Sequence, residues 1–117
     1  NNVALGYASL SAETKGDRSV AIGNFALQVQ NNTTNVDVYN TAVGYAAGAA
    51  ITTGIQNTLI GGLAGDALTT GDNNVAIGYA ALSLEDEHGY NVAIGKSALQ
   101  NLNAGENGFS VAVQMLL

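Results

Sequence analysis

Apolar and polar side chains alternate along this chain in short bursts, and each burst closes on a glycine. In Asn74-Val75-Ala76-Ile77-Gly78 the β-branched residues stand at every second position with alanine between them. That two-residue period predicts a strand with Val75 and Ile77 on one side and Ala76 on the other. Related strings end on Gly6, Gly23, Gly44, Gly61, Gly78 and Gly95, at successive spacings of 17, 21, 17, 17 and 17 residues. A weaker seventh copy, Ser110-Val111-Ala112-Val113, carries Gln114 where the glycine would stand. A fixed period predicts a stack of like units.

The positions around the glycine keep the same phase. Three residues after it comes a small side chain, Ser9, Ala26, Ala47, Ala64, Ala81 or Ala98. The next position is Leu10, Leu27, Leu82 or Leu99, or else Gly48 or Gly65. A second glycine, Gly16, Gly54, Gly71 or Gly105, follows ten residues after the first in four copies. Each unit is therefore expected to hold one clear strand, a glycine bend, a less regular second strand and a Thr-x-Gly turn. Glycine suits both corners because the backbone there takes positive φ. Two glycines per unit and many β-branched, Asn and Thr residues argue against helix.

The expected fold is all-β, a parallel β-roll or β-solenoid of about six to seven coils with a 17-residue repeat, forming a single domain over residues 1–117. Rungs spaced ~4.8 Å apart would make a rod on the order of 30 Å long. Asn2, Ser19, Asn40, Asn57, Asn74 and Asn91 each lie four residues before the motif glycine and would stack as one row. Either their amides pair from rung to rung, or asparagine simply tolerates the turn there.

Composition sharpens this picture. Apolar residues make up 47% of 117, charged residues only 10%, and Pro, Cys and Trp are absent. Val, Ile, Leu and Ala form a thin core, and units this small gain useful stability by oligomerising. The small residues after the glycine suggest a face kept small for close packing, and three chains about a fibre axis are the simplest expectation. The net charge of −6, with only Lys15, Arg18 and Lys96 as cations, leaves no phosphate-binding footprint, so nucleic acid is not an expected partner. No apolar run approaches the ~18 residues of a membrane span. The chain opens at Asn1 inside a copy of the motif and is read as a segment of a longer fibrous protein.

The copies, above all Asn-Val-Ala-Ile-Gly-Tyr-Ala-Ala-Leu at 74–82, resemble the head repeats of trimeric autotransporter adhesins and the related repeats of bacteriophage tail fibres and other virion fibres. The resemblance spans essentially the whole chain. It implies a left-handed parallel β-roll that trimerises, each chain supplying one roll. The adhesin heads commonly have shorter coils. The Thr-Thr-Gly-x-x-Asn-Thr-x-Ile-Gly-x-x-Ala-Gly run at 52–65 looks more like the virion repeats.

Two breaks in the period stand out as candidate sites. The second unit carries four extra residues, within about 28–39, and inserts in a solenoid map to loops on one face, often the binding face. Asn31, Asn32, Thr33, Thr34, Asn35, Asp37 and Tyr39 could contact a glycan there, or the segment is a plain spacer. Glu85-Asp86-Glu87-His88 is the densest charge cluster and holds the single histidine. Neighbouring residues on extended backbone diverge, so it reads as a solvated loop and no metal is expected. Gly71-Asp72-Asn73-Asn74 lacks the repeated glycine-aspartate set of calcium-binding rolls. Tyr7, Tyr45 and Tyr79 follow the glycine in three copies, where packing between chains is the favoured role.

The expectation for function is a structural fibre protein without catalytic residues or cofactor: a homotrimeric segment of a phage or viral fibre. It would act as a spacer and host-receptor contact, located on the virion, with other fibre proteins and a cell-surface glycan or protein as partners. The alternative is the head of a bacterial surface adhesin that binds host matrix or glycans. An ice-binding solenoid is a third reading, but paired threonines recur in only two coils, Thr52-Thr53 and Thr69-Thr70.

Overall fold

The computed structural model describes residues 1–84, 87–102 and 110–113. The motif strands are β1 (Val3–Leu5), β3 (Val20–Ile22), β5 (Thr41–Val43), β6 (Thr58–Ile60), β7 (Val75–Ile77), β8 (Val92–Ile94) and β9 (Val111–Val113). They form one seven-stranded parallel sheet in that order. Each strand pairs with its counterpart one coil on, as in Val75↔Val92 and Ala76↔Ala93. The chain is thus an all-β solenoid of about six turns. The degenerate copy takes its rung as well, with Val92 opposite Val111 despite the nineteen-residue step.

The strand parity has a consequence that the composition hid. Ala21, Ala42, Ala76 and Ala93, with Leu59 in the same row, are fully buried, while the Val and Ile residues on either side point outward. The five alanines at 26, 47, 64, 81 and 98 face them from the opposite wall. Leu10, Leu27, Leu82, Ile51 and Leu68 fill the space at the far end. The expectation that these small residues form an external packing face is overturned: Ala26, Ala47, Ala64, Ala81 and Ala98 line the interior. The strand valines and isoleucines are the outside of the coil.

The second wall is not a regular strand. Ala8, Phe25, Ala46, Leu63, Ala80 and Ser97 all have φ between 53° and 63°, and Leu10, Leu27, Leu82 and Leu99 have φ between 48° and 55°. A left-handed residue at every second position breaks the in–out alternation, so that Ala26 and Leu27 are both buried, and turns the backbone polar groups along the stack. The Phe25 N–H donates down to the Tyr7 carbonyl at 2.8 Å, and the Leu27 N–H donates up to the Ala47 carbonyl at 3.0 Å. Each non-glycine left-handed residue costs about 1 kcal/mol. The coil-to-coil hydrogen bonds offset that cost, since an unpaired backbone group here would cost more.

Gly44 explains the invariant corner. Its φ of 137° suits glycine alone, and a Cβ there would lie 2.6 Å from the carbonyl carbon and oxygen of Gly61 in the next coil. The motif glycines stack backbone on backbone. At the other corner, Asn40, Asn57, Asn74 and Asn91 are fully buried inside the turn. Asn40 Oδ1 accepts the Asn57 N–H at 2.8 Å, Asn57 Oδ1 the Asn74 N–H at 2.9 Å, and Asn74 Oδ1 the Asn91 N–H at 3.0 Å. The same amides donate to the turn that closes their own coil, Asn57 Nδ2 to the Gly71 carbonyl at 2.9 Å and Asn40 Nδ2 to the Gly54 carbonyl at 2.7 Å. One side chain ties its own turn to the rung above, which only a short amide with both donor and acceptor can do. Asn2 makes the same contacts at the first rung, accepting the Ser19 N–H and donating to the Gly16 carbonyl.

Candidate functional site

The insertion is built into the stack rather than looped away from it. Strand β2 (Gly16–Asp17) pairs in parallel with β4 (Val36–Asp37), so Gly16 meets a residue twenty positions on while Val20 meets Thr41 twenty-one on. Val38 then turns inward and is fully buried against Gly16, whose Cβ would lie 2.7 Å from Val38 Cγ2.

Glu13 holds this segment in place. Its Oε1 accepts the N–H groups of Thr14, Lys15, Gly16 and Asn32 at 2.7 to 3.1 Å. Its Oε2 accepts Gln30 Nε2 at 2.8 Å and Asn32 Nδ2 at 3.0 Å. Burial alone would raise its pKa, but the Gly16, Asn32 and Gln30 hydrogen bonds outweigh that and lower it to about 2. Gln30 is fully buried and passes the network inward, donating to Ser19 Oγ and accepting from Asn40 Nδ2. The carboxylate thus joins the insertion to the asparagine row.

That geometry divides the expected contact residues. Asn32 is buried and committed to Glu13, so it is not a surface donor. Asn31 is exposed, but its Oδ1 accepts from Thr14 Oγ1 at 2.9 Å. Thr33, Thr34 and Asn35 are exposed. Asp37 and Tyr39 gather around Arg18: Arg18 Nη1 donates to Asp37 Oδ2 at 2.7 Å and to Tyr39 Oη, and its guanidinium carbon lies 5.6 Å from the Tyr39 ring centroid. Tyr39 and then Asp37 stabilise the charged guanidinium and raise its pKa. The sequence reading missed Glu13, Gln30 and Arg18. A signal for the first two was present, because Glu13 and Gln30 stand where three of the four later coils carry Ile51, Leu68 and Leu102, the other carrying Glu85.

Glu85 and Asp86 lie outside the described residues. Among the described residues no three His, Cys, Asp or Glu side chains gather as metal ligands. The His88 carbonyl accepts from Asn74 Nδ2 at 3.1 Å, which gives that residue a part in closing the coil. Asp66 Oδ1 is buried without a hydrogen-bond partner, and burial raises the pKa of this carboxyl. No helix among the described residues is long and apolar enough to cross a membrane.

The larger surface feature is the outer face of the seven-stranded sheet. It presents Val3 and Leu5, Val20 and Ile22, Thr41 and Val43, Thr58 and Ile60, and Val75 and Ile77, then continues through β8 and β9. Its inner rungs are half-buried by one another, and Leu5 at one end is 67% exposed. Beside it runs the row after the motif glycine, with Tyr7, Tyr45 and Tyr79 all exposed. Phe25 sits edge-on between two of these rings, its centroid 5.5 Å from Tyr7 and 5.8 Å from Tyr45. No acidic residue lies in these rows, although the chain carries nine. No protein-family model, curated protein or solved structure matches this chain.

Proposed function

We propose that this chain is a non-catalytic structural segment of a phage or viral fibre, a β-roll that trimerises through its apolar sheet face and acts as a rigid spacer. The observation that carries this reading is the uncharged strip of Val, Ile and Leu, with Thr41 and Thr58, along all seven rungs, on a chain whose net charge is −6. Contiguous apolar patches of this kind mark interaction sites, and the thin alanine-lined core gives each coil little buried area of its own. A fibre needs length and stiffness, and stacked coils provide both without chemistry. The exposed Thr33, Thr34, Asn35, Asp37 and Tyr39 form the receptor-contact loop of this proposal, with a cell-surface glycan as the partner that suits their hydroxyls and carboxylate.

Light scattering on residues 1–117 tests the assembly, with a particle of three chain masses expected; a stable, folded monomer overturns it. Immunogold directed at residues 33–37 tests the location. Decoration of particle fibres is expected, and labelling of a bacterial surface instead would favour the adhesin-head alternative.

A further inference from the structure

Asn40, Asn57, Asn74 and Asn91 are each followed two positions on by the inward-facing centre of a motif strand, Ala42, Leu59, Ala76 and Ala93. That place lies in the apolar core, so the fold keeps these amides out of any Asn-x-Ser/Thr tripeptide. The tripeptide, with x other than proline, is the acceptor signal for N-linked sugar, and a usable copy sits on a surface loop. Two overlapping copies occur in the chain, Asn31-Asn32-Thr33 and Asn32-Thr33-Thr34, and both fall in the insertion. Other coils carry Thr14, Thr52 and Thr69 at the place of Asn31, and none of these has an amide to modify.

The structure separates the two copies. Asn32 is buried, and its Nδ2, the atom that would take the sugar, donates to Glu13 Oε2 at 3.0 Å. Its main-chain N–H donates to Glu13 Oε1 at 3.1 Å. A sugar on that nitrogen would force the side chain out of the Glu13 network that seats the insertion on the stack. Asn31 is exposed and is fixed by its other atoms. Its Oδ1 accepts from Thr14 Oγ1 at 2.9 Å, and its main-chain N–H donates to the Thr52 carbonyl at 2.9 Å. Its Nδ2 is not spent on these contacts. Thr33, whose hydroxyl completes the first tripeptide, is exposed where the chain bends before β4.

We infer that Asn31 is an acceptor for N-linked sugar and that Asn32, in the overlapping copy, is not. The donor class is a sugar activated through a diphosphate at its anomeric carbon, carried on a lipid or on a nucleoside. Asn31 Nδ2 bonds to that carbon as the carbon–oxygen bond to the diphosphate breaks. The diphosphate leaves with the electron pair, and one Nδ2 proton passes to a base of the transferase. The amide oxygen keeps its bond from Thr14, so the coil closes the same way with the sugar attached. Whether transfer precedes folding or follows it, only the Asn31 product fits the folded stack. The inference depends on neither the fibre reading nor the assembly proposed above.

Two reactions test it, one for each donor source. In the first, the chain is translated behind a signal sequence into microsomes, which supply a lipid-linked oligosaccharide. In the second, the folded chain is incubated with UDP-glucose and a soluble transferase that reads Asn-x-Ser/Thr. The protease-resistant product of each is mapped by peptide mass spectrometry. Sugar on Asn31 is expected in at least one reaction, which identifies the donor, with an unchanged melting temperature. Asn31→Gln and Thr33→Ala alter exposed residues and are each expected to abolish the modification, although Thr33→Ala leaves the second tripeptide intact. Thr34→Ala, which removes only the second, is expected to leave it in place. Folded product carrying sugar on Asn32, modification that survives Thr33→Ala, or an unmodified Asn31 in both reactions overturns the inference.

Discussion

Leu59 and Gly65 compete for one volume, and Leu59 holds it: a Cβ built on Gly65 would lie 2.8 Å from Leu59 Cδ2. Gly48 stands in the same relation from the coil before, 2.7 Å from Leu59 Cδ1. In the first, second, fifth and sixth coils the strand centre is alanine and the facing residue is leucine, as with Ala21 and Leu27 or Ala76 and Leu82, while the third coil carries Ala42 and Gly48. The fourth coil puts its large residue on the strand, and the two methyl ends of Leu59 reach over both glycines.

Leu59→Ala alone is therefore expected to cost about 2–5 kcal/mol by leaving a cavity. Adding Gly48→Leu and Gly65→Leu restores the arrangement of the other coils and is expected to recover most of that loss. The two leucines introduced without Leu59→Ala are expected to destabilise through overpacking. Urea denaturation of the three variants measures the coupling, and additive effects would refute a shared volume.

Asn57→Ala removes an acceptor for the Asn74 N–H and a donor to the Gly71 carbonyl, both inside the turn. Leaving those groups buried and unpaired is expected to cost about 2–4 kcal/mol. Asn2→Ala, at the exposed first rung, is expected to cost less than about 1 kcal/mol. Comparable losses at the two positions in thermal melts would show that the row is not a buried network.

Glu13 has a folded pKa of about 2 against an ordinary 4.5, so its contribution to stability is complete above 4.5 and is lost as the pH falls through about 2. Glu13→Gln is expected to lower the melting temperature at pH 7, with the gap closing towards pH 2. A gap independent of pH would mean that the charge is not what the hydrogen-bonding groups recognise.

Asp66 runs the other way. Its pKa is raised from 3.8 by burial, so the folded state is penalised as the group ionises with rising pH. Asp66→Asn is expected to raise the melting temperature at pH 7 by about a few degrees, with no gain below pH 3.8, where the carboxyl is neutral in both states. Calorimetry at the two pH values checks this, and equal stability of both proteins at pH 7 would refute it.

The spacing of Gly6, Gly23, Gly44, Gly61, Gly78 and Gly95 carried the coil, its parallel rungs and the position of the insertion, because a backbone stacked on itself every ~4.8 Å leaves no room for Cβ at a repeated corner. The alternation in Val-Ala-Ile likewise determined that the two side-chain types part to opposite faces. Which face is inside was not legible. Hydrophobicity ranks valine and isoleucine above alanine as core residues, and only the second wall, folding back through left-handed residues such as Phe25 and Leu27, covers the alanine side and makes it the inner one. The contact loop shows the same division. The extra residues near 28–39 were countable, but Asn32 looked like its neighbours until the fold brought it to Glu13, nineteen residues away in the chain. Periodicity is a local property and survives in the sequence; burial and partnership depend on which coils close over which side chains, and the stacked tertiary structure decides them.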